Sequence, residues 1–395
     1  MNTPISSNMY IQFQQSLLIL VHYHLLKRRC APILSENRHD IFLRDLIREL
    51  HAFTHKVGFV SSRFFESSFS VVHLLFQSIT FRVVAKELPK LLSLLSIFKS
   101  RVCSVFLHVV GSFDLEEFHC YSHFVTGLKL KLMKPSDLNF LNKSSPFNFS
   151  YLKTLDVRIE SSILMDFLEA LKEVNCSLTH INLARNSIAG ENAIILAKIL
   201  KINTSINEIN LGHNSIGAHG TIALADALKV NRTLIKINLR SNSIRHEGAK
   251  ELAEALKVNT TITELDLFGN SIGSDGIIPL AEALKINCSI TKINLSQNNI
   301  GSSGISSLAD ALKVNCSVTD IKLGSNFIVS TEGKRLAEML KVNSCITTIS
   351  LYNNYLDSNS AIALAEALKV NSCITAIILG RNCIGREGIE ALAKV

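Results

Sequence analysis

The chain has 395 residues, 47% of them apolar and 19% charged, with 41 Lys and Arg against 33 Asp and Glu. This composition excludes a disordered, charge-solvated polymer, and only 6 Pro and 18 Gly exclude collagen-like or proline-rich segments. A net charge of +8 is mild for this length, and a nucleic-acid binder would also gather its cations into a stripe.

From the N-terminus, the most apolar stretches are residues 16–26 and 91–110. The first is short and holds His22 and His24; the second is broken by Lys99 and Arg101. Neither supplies the roughly 20 uncharged residues of a membrane-spanning helix. Lys27, Arg28 and Arg29 follow the first run, whereas a secretory signal carries its basic residues in front. Residues 41–56 and 86–98 have helical apolar spacing, so 1–150 is expected to be a mainly helical region without a defined domain type. The His119/His123 pair has i,i+4 spacing but lacks the H-E-x-x-H context, so no metal site is assigned. No G-x-S-x-G elbow or other catalytic constellation occurs, and the chain is expected to be non-enzymatic with no cofactor. The 9 Cys are odd in number and include no CxxC pair, so they are expected to be reduced, mostly buried thiols of a cytoplasmic protein.

Composition changes near residue 176. Before it lie 18 of the 20 Phe and 9 of the 13 His; after it lie 15 of the 18 Gly. From there the sequence repeats every 28 residues, with units starting at Ser177, Ser205, Thr233, Thr261, Ser289, Ser317, Cys345 and Cys373. A degenerate unit, 151–176, precedes them, with Leu152, Leu155 and Val157 in its strand. A fixed period of this size means a solenoid. In the unit from Thr261, Ile262, Leu265 and Leu267 alternate with polar residues as in a short strand. Leu280, Ala281, Ala283 and Leu284 then take helical spacing. The predicted architecture is an α/β solenoid over 151–395: parallel strands on a concave side, helices on a convex side.

Three polar columns accompany the repeat. Asn186, Asn214, Asn242, Asn270, Asn298, Asn326, Asn354 and Asn382 follow the strands and are expected to bond backbone groups of neighbouring turns. Asn203, Asn231, Asn259, Asn287, Asn315, Asn343 and Asn371 follow the helices, where a left-handed capping residue is expected. Their N-x-S/T contexts are discounted as glycosylation sites on that ground. Lys229, Lys257, Lys285, Lys313 and Lys341 each follow an acid by three residues, which predicts a self-neutralised convex face rather than a nucleic-acid surface.

The pattern L-x-x-I-x-L-x-x-N-x-I-G-x-x-G, followed by L-A-x-A-L-K-V-N, resembles the ribonuclease-inhibitor type of leucine-rich repeat over 177–395 and more weakly over 151–176. The uniform 28-residue unit is most similar to the repeat domain of NOD-like receptors; Ran GTPase-activating proteins and tropomodulins share the repeat type. Glu332 and Asp357 depart from it at glycine positions. The resemblance implies a leucine-rich-repeat horseshoe that binds a protein partner on its concave face and regulates cytosolic, innate-immune-like signalling. It does not extend to nucleotide binding, because 1–150 holds only Gly58, Gly111 and Gly127 and no phosphate loop. The other reading it implies is a Ran-type GTPase-activating protein, with Arg185 and Arg240 the nearest candidates.

On the concave face, the least regular residues are the expected partner contacts: Arg240, Phe268 and Tyr352, with Arg381 beside them and Asp266 and Lys322 in the adjoining column. The final unit stops inside its helix, so self-association through that end is expected, with Leu379, Ile384 and Leu392 left uncovered.

Overall fold

The computed structural model describes residues 79–84, 105–110, 125–132, 152–173 and 178–395. The chain divides into two compact units, Met1–Val110 and Gly111–Val395. In the first, Ile79–Val84 (β1) and Val105–Val110 (β2) pair in parallel, with Ile79 opposite Val105. The helical stretches expected at 41–56 and 86–98, and the His22/His24 and His119/His123 pairs, lie outside the described residues.

The second unit is a stack of strand–helix repeats. Its strands are Val125–Leu132 (β3), Thr154–Ile159 (β4), His180–Asn182 (β5), Glu208–Asn210 (β6), Lys236–Asn238 (β7), Glu264–Asp266 (β8), Lys292–Asn294 (β9), Asp320–Lys322 (β10), Thr348–Ser350 (β11) and Ala376–Ile378 (β12). The helices that follow them are Leu164–Glu173 (α1), Gly190–Ile202 (α2), Gly217–Leu228 (α3), Arg245–Val258 (α4), Gly273–Ile286 (α5), Gly301–Val314 (α6), Ser330–Val342 (α7), Ser358–Val370 (α8) and Gly385–Leu392 (α9). From β3 to β12 every strand pairs in parallel with the next. From β5 onward, residues 28 apart stand opposite each other, as in His180, Glu208 and Lys236. The described residues of 1–150 are therefore strands, and the sheet of the second unit already includes residues 125–132. The V-T-G-L-K-L-K-L run alternates with period two, which favours strand over helix.

From β5 to β10 each three-residue strand buries its central side chain and turns the flanking two outward. Ile209, Ile237, Leu265 and Ile293 form one inward row and Leu211, Leu239, Leu267 and Leu295 the next, all nearly inaccessible. The helices close the core with pairs such as Leu280/Leu284 and Ala281/Ala283. Strands stack about 4.8 Å apart while packed helices need about 8–10 Å, so the sheet lies on the inner side of the curve. Small residues narrow the helix spacing. A Cβ on Gly276 would come within 2.6 Å of Ile272 Cγ2 and 2.9 Å of Ala249 Cβ, so this glycine permits contact between neighbouring helices.

The first Asn column forms a buried ladder. Asn270 Nδ2 donates to the carbonyls of Leu239 (2.9 Å) and Leu267 (3.0 Å), and its Oδ1 accepts from the Asn242 N–H at 2.8 Å. Its own N–H donates to Asn298 Oδ1 at 2.9 Å, which starts the next rung. The second Asn column does not take the left-handed conformation expected of it: Asn287 has φ −75° and ψ 123°. Its side chain makes the turn instead. Asn287 Oδ1 accepts from the N–H groups of Ser289 (3.0 Å) and Ile290 (2.9 Å), and Nδ2 donates to Leu256 O (2.8 Å) and Asn259 O (3.0 Å) of the preceding repeat. With Asn231, Asn259, Asn287 and Asn315 buried and their amides bonded in this way, their N-x-S/T contexts describe a turn.

Three further expectations are corrected or refined. The cysteines among the described residues are not buried: Cys288, Cys316 and Cys383 are exposed and Cys345 and Cys373 half-buried, all as free thiols. The first two sit directly after the helix-ending Asn, where the turn faces water. At the glycine position of its repeat, Asp357 replaces a left-handed helix entry with a side-chain cap. Gly273 and Gly301 enter at φ +66° and +69°, whereas Asp357 is extended and its Oδ1 accepts from the Ser360 N–H (2.9 Å) and the Ser330 hydroxyl (2.7 Å). Glu332 is buried, accepting from the Val329 N–H (3.2 Å) and the Ser302 hydroxyl, and Gly333 takes over the close approach to the next repeat. In the last repeat Leu379, Ile384 and Leu392 are half-buried.

Asn270→Ala strands two carbonyls and an N–H in the core and should cost at least about 3 kcal/mol, against about 1 kcal/mol or less for half-exposed Asn382→Ala, where water can substitute. Urea unfolding followed by circular dichroism measures the difference. Hydrogen bonds from Ser360 and Ser330 hold the Asp357 carboxyl at about 2, below its ordinary 3.8. Its folded value is depressed, so its contribution is complete above about pH 4 and lost as pH falls through about 2. Asp357→Asn should remove about 1 kcal/mol at neutral pH and leave stability near pH 2 unchanged, read from thermal midpoints across that range.

Candidate functional site

The outward positions of the strands form three columns across the sheet. The first, His180, Glu208, Lys236, Glu264, Lys292 and Asp320, alternates in sign, and its members from His180 to Lys292 pair across neighbouring strands. Lys236 lies 2.9 Å from Glu208 and 3.8 Å from Glu264, Lys292 lies 3.0 Å from Glu264, and His180 lies 3.5 Å from Glu208. These half-exposed pairs fix side-chain positions more than they stabilise the fold.

The second column is consumed by the turn that ends each strand. Asn210, Asn238, Asp266 and Asn294 each accept, through Oδ1, the N–H two residues on, at 2.9–3.1 Å. Asp266 thus uses Oδ1 on the Phe268 N–H and keeps Oδ2 for other contacts. Lys322 breaks the column: it is exposed and stands between Asn294 and Ser350 in register. The turn below it uses a different acceptor, with the Gly324 N–H donating to Ser296 Oγ at 3.1 Å.

The third column carries the irregular residues: Arg158, Ala184, Gly212, Arg240, Phe268, Ser296, Gly324, Tyr352 and Gly380. The Arg240 guanidinium lies over the Phe268 ring, 4.6 Å from its centroid, and Arg381 lies 5.6 Å from the Tyr352 centroid. Such cation–π contacts are worth about 0.5–1 kcal/mol at exposed sites. Gly212 makes room for the Arg240 stem, since a Cβ there would be 2.8 Å from Arg240 Cγ. Gly380 does the same beneath Tyr352, whose ring would lie 3.2 Å from an added Cβ. Arg240 with Phe268 and Arg381 with Tyr352 are thus two separate pairs. Phe268 and Tyr352 are three strand steps apart, about 14 Å.

The next position takes positive φ throughout, at Arg185 (60°), His213 (55°), Ser241 (53°), Gln297 (57°) and Arg381 (57°). The Arg185 N–H donates to the Gly212 carbonyl at 3.0 Å and the His213 N–H to the Arg240 carbonyl at 2.8 Å, so the ladder holds these two side chains side by side on the rim. The pKa of His213 is lowered first by loss of hydration and then by repulsion from Arg240 and Arg185. Arg158 joins them through an Nη1 hydrogen bond to the Ala184 carbonyl. Among the described residues none of Arg158, Arg185, His213 and Arg240 lies in an ion pair, whereas the convex lysines do: Lys257 is 2.6 Å from Glu254 and Lys285 2.6 Å from Glu282.

Sequence reasoning missed two groupings. Arg158 lies in the degenerate unit, so its place in the third column emerges only from the pairing of β4 with β5. Phe327 and Tyr355 occupy the N-x-I position that holds Ser or Asn in the five repeats before them. Both are exposed, and their rings stack at 6.0 Å between centroids with 22° between planes. The replaced serines were the available signal.

A family model described as Leucine Rich repeat matches residues 174–194, 203–225, 230–253, 258–281, 287–309 and 370–393. No curated protein matches the chain. Similar solved structures include an internalin, inlF, from Listeria monocytogenes, with a TM-score of 0.49 and 16% identity over 89% of this chain and 93% of that one. The leucine-rich-repeat-containing protein LegL7 from Legionella pneumophila gives 0.43 and 19% over 67% and 98%. The tropomodulin C-terminal domain of Caenorhabditis elegans gives 0.33 and 18% over 38% and 92%. Residues 310–369 fall outside the family match yet build the same strand–helix units. The strand–helix units of residues 178–395 have the leucine-rich-repeat fold.

Proposed function

We propose that the chain is a non-enzymatic protein-interaction module that binds its partner through the concave strand face. The observation that carries this reading is the third column. Most members of the neighbouring columns are committed to ion pairs and turn hydrogen bonds, while Phe268 and Tyr352 stand outward, each with an arginine against its ring. Aromatic residues and arginine are the side chains that most often dominate interface energetics. On this reading the repeats are of the ribonuclease-inhibitor type and the chain acts in cytoplasmic signalling as NOD-like receptor relatives do; the 28-residue period and the Asn-rich turns support it. No helix among the described residues is long and apolar enough to cross a membrane.

Phe268→Ala combined with Tyr352→Ala should weaken a partner captured by the intact chain at least about tenfold, the cost of two interface aromatics, and leave the circular dichroism spectrum unchanged. A partner retained at full affinity would place binding on another face.

A further inference from the structure

Resting on the concave-face reading, we propose that the trough between Arg158 and Arg240 receives an acidic segment of the partner protein. Its floor is Ala184 and Gly212, both buried, which leaves two successive strands without a large side chain in the third column. Both walls lean inward: Arg158 bonds the Ala184 carbonyl on the adjacent strand, and the stem of Arg240 lies across Gly212. Arg185 and His213 line the rim beside that floor.

Three observations mark the trough as an anion site. First, its cations lack acidic partners among the described residues, although the same sheet neutralises its first column and the helices neutralise their lysines. In the adjoining column, Asp156 pairs with Lys129 at 3.0 Å, and Asp266 accepts the Phe268 N–H at 2.9 Å. Second, Arg240 Nε is buried with no hydrogen-bond partner, an unspent donor on a guanidinium held against Phe268. Third, Arg240 and Arg185 add to loss of hydration in lowering the pKa of His213, which sets both arginines beside that ring. Arginine presents paired N–H groups that match a carboxylate in the plane of the fork, so glutamate or aspartate side chains of an extended segment suit this spacing. The occupant is a peptide rather than a nucleic acid. The unneutralised cations span a few strand steps rather than a continuous stripe, and the one aromatic face, Phe268, is already covered by Arg240.

The test is fluorescence polarisation with the full chain and three labelled probes: a deca-glutamate peptide with one terminal Phe, a Gly/Ser peptide of equal length, and a single-stranded decanucleotide. The acidic peptide should bind best, and rising salt should weaken it. Arg158→Glu with Arg240→Glu should weaken it more than tenfold, while Lys257→Glu with Lys313→Glu on the convex side should change it less than twofold. Exposed Arg185→Glu alone, which leaves the fold undisturbed, should weaken it about threefold and keeps the test decisive if the double variant fails to fold. The proposal is overturned if the Gly/Ser peptide binds equally, if Arg185→Glu has no effect, or if the oligonucleotide competes the peptide away. If the peptide is indifferent to these arginines while Phe268 and Tyr352 still govern the partner, the acidic-segment proposal falls and the concave-face reading stands.

Discussion

The buried Asn side chain at the end of each strand is the interaction on which this solenoid turns. A strand of three residues cannot continue the sheet, so the chain must bend sharply inside the core, where its carbonyls and N–H groups lose both ladder partners and water. One amide supplies two donors and an acceptor at that bend, and Asn270 uses them on its own repeat and the one before. The second Asn column performs the same task at the other bend, where the helix returns to the strand. From the unit at Ser205 to that at Cys345 both bends are thus tied to the adjacent repeat, and the apolar rows between them need only fill volume. No repeat is satisfied alone, which is why the fold exists only as a stack.

Most of this was legible because the repeat presents each position many times. The inward rows, the strand–helix order and the Asn ladder follow from period and polarity. The misread positions share a cause: each depends on backbone conformation or on the neighbour a residue meets. The post-helix Asn was taken for a left-handed cap because composition is the same for either geometry, and the structure shows an extended backbone with the side chain closing the turn. Cysteine is a residue type that is usually buried, yet Cys288 and Cys316 occupy the solvent side of that turn. In the N-terminal region no repeat averages out the noise, and the strand at 125–132 was hidden within a stretch read as mainly helical.

The candidate site was legible in its members more than in its grouping. Arg240, Phe268, Tyr352 and Arg381 stand out by irregularity alone; the structure sorts them into two pairs and shows Asp266 Oδ1 also closing a turn. Regular positions hold the solenoid together, and departures from regularity mark the surface free to vary. Arg158 escaped notice because its unit is too degenerate to align by eye.

Exact translation along the stack has a consequence for how such a chain can change. Residues 28 apart are equivalent rungs from β5 onward, so excising one whole unit, such as 233–260, would let Asn270 donate to the Leu211 carbonyl in place of Leu239 and leave every bend closed. Unequal crossing-over in the gene would be nearly silent for folding. It would not be silent on the surface: Arg240 would vanish and Phe268 would come to rest beside Gly212, its ring uncovered. A mutational event that the core scarcely registers would rewrite the face presented to a partner in a single step.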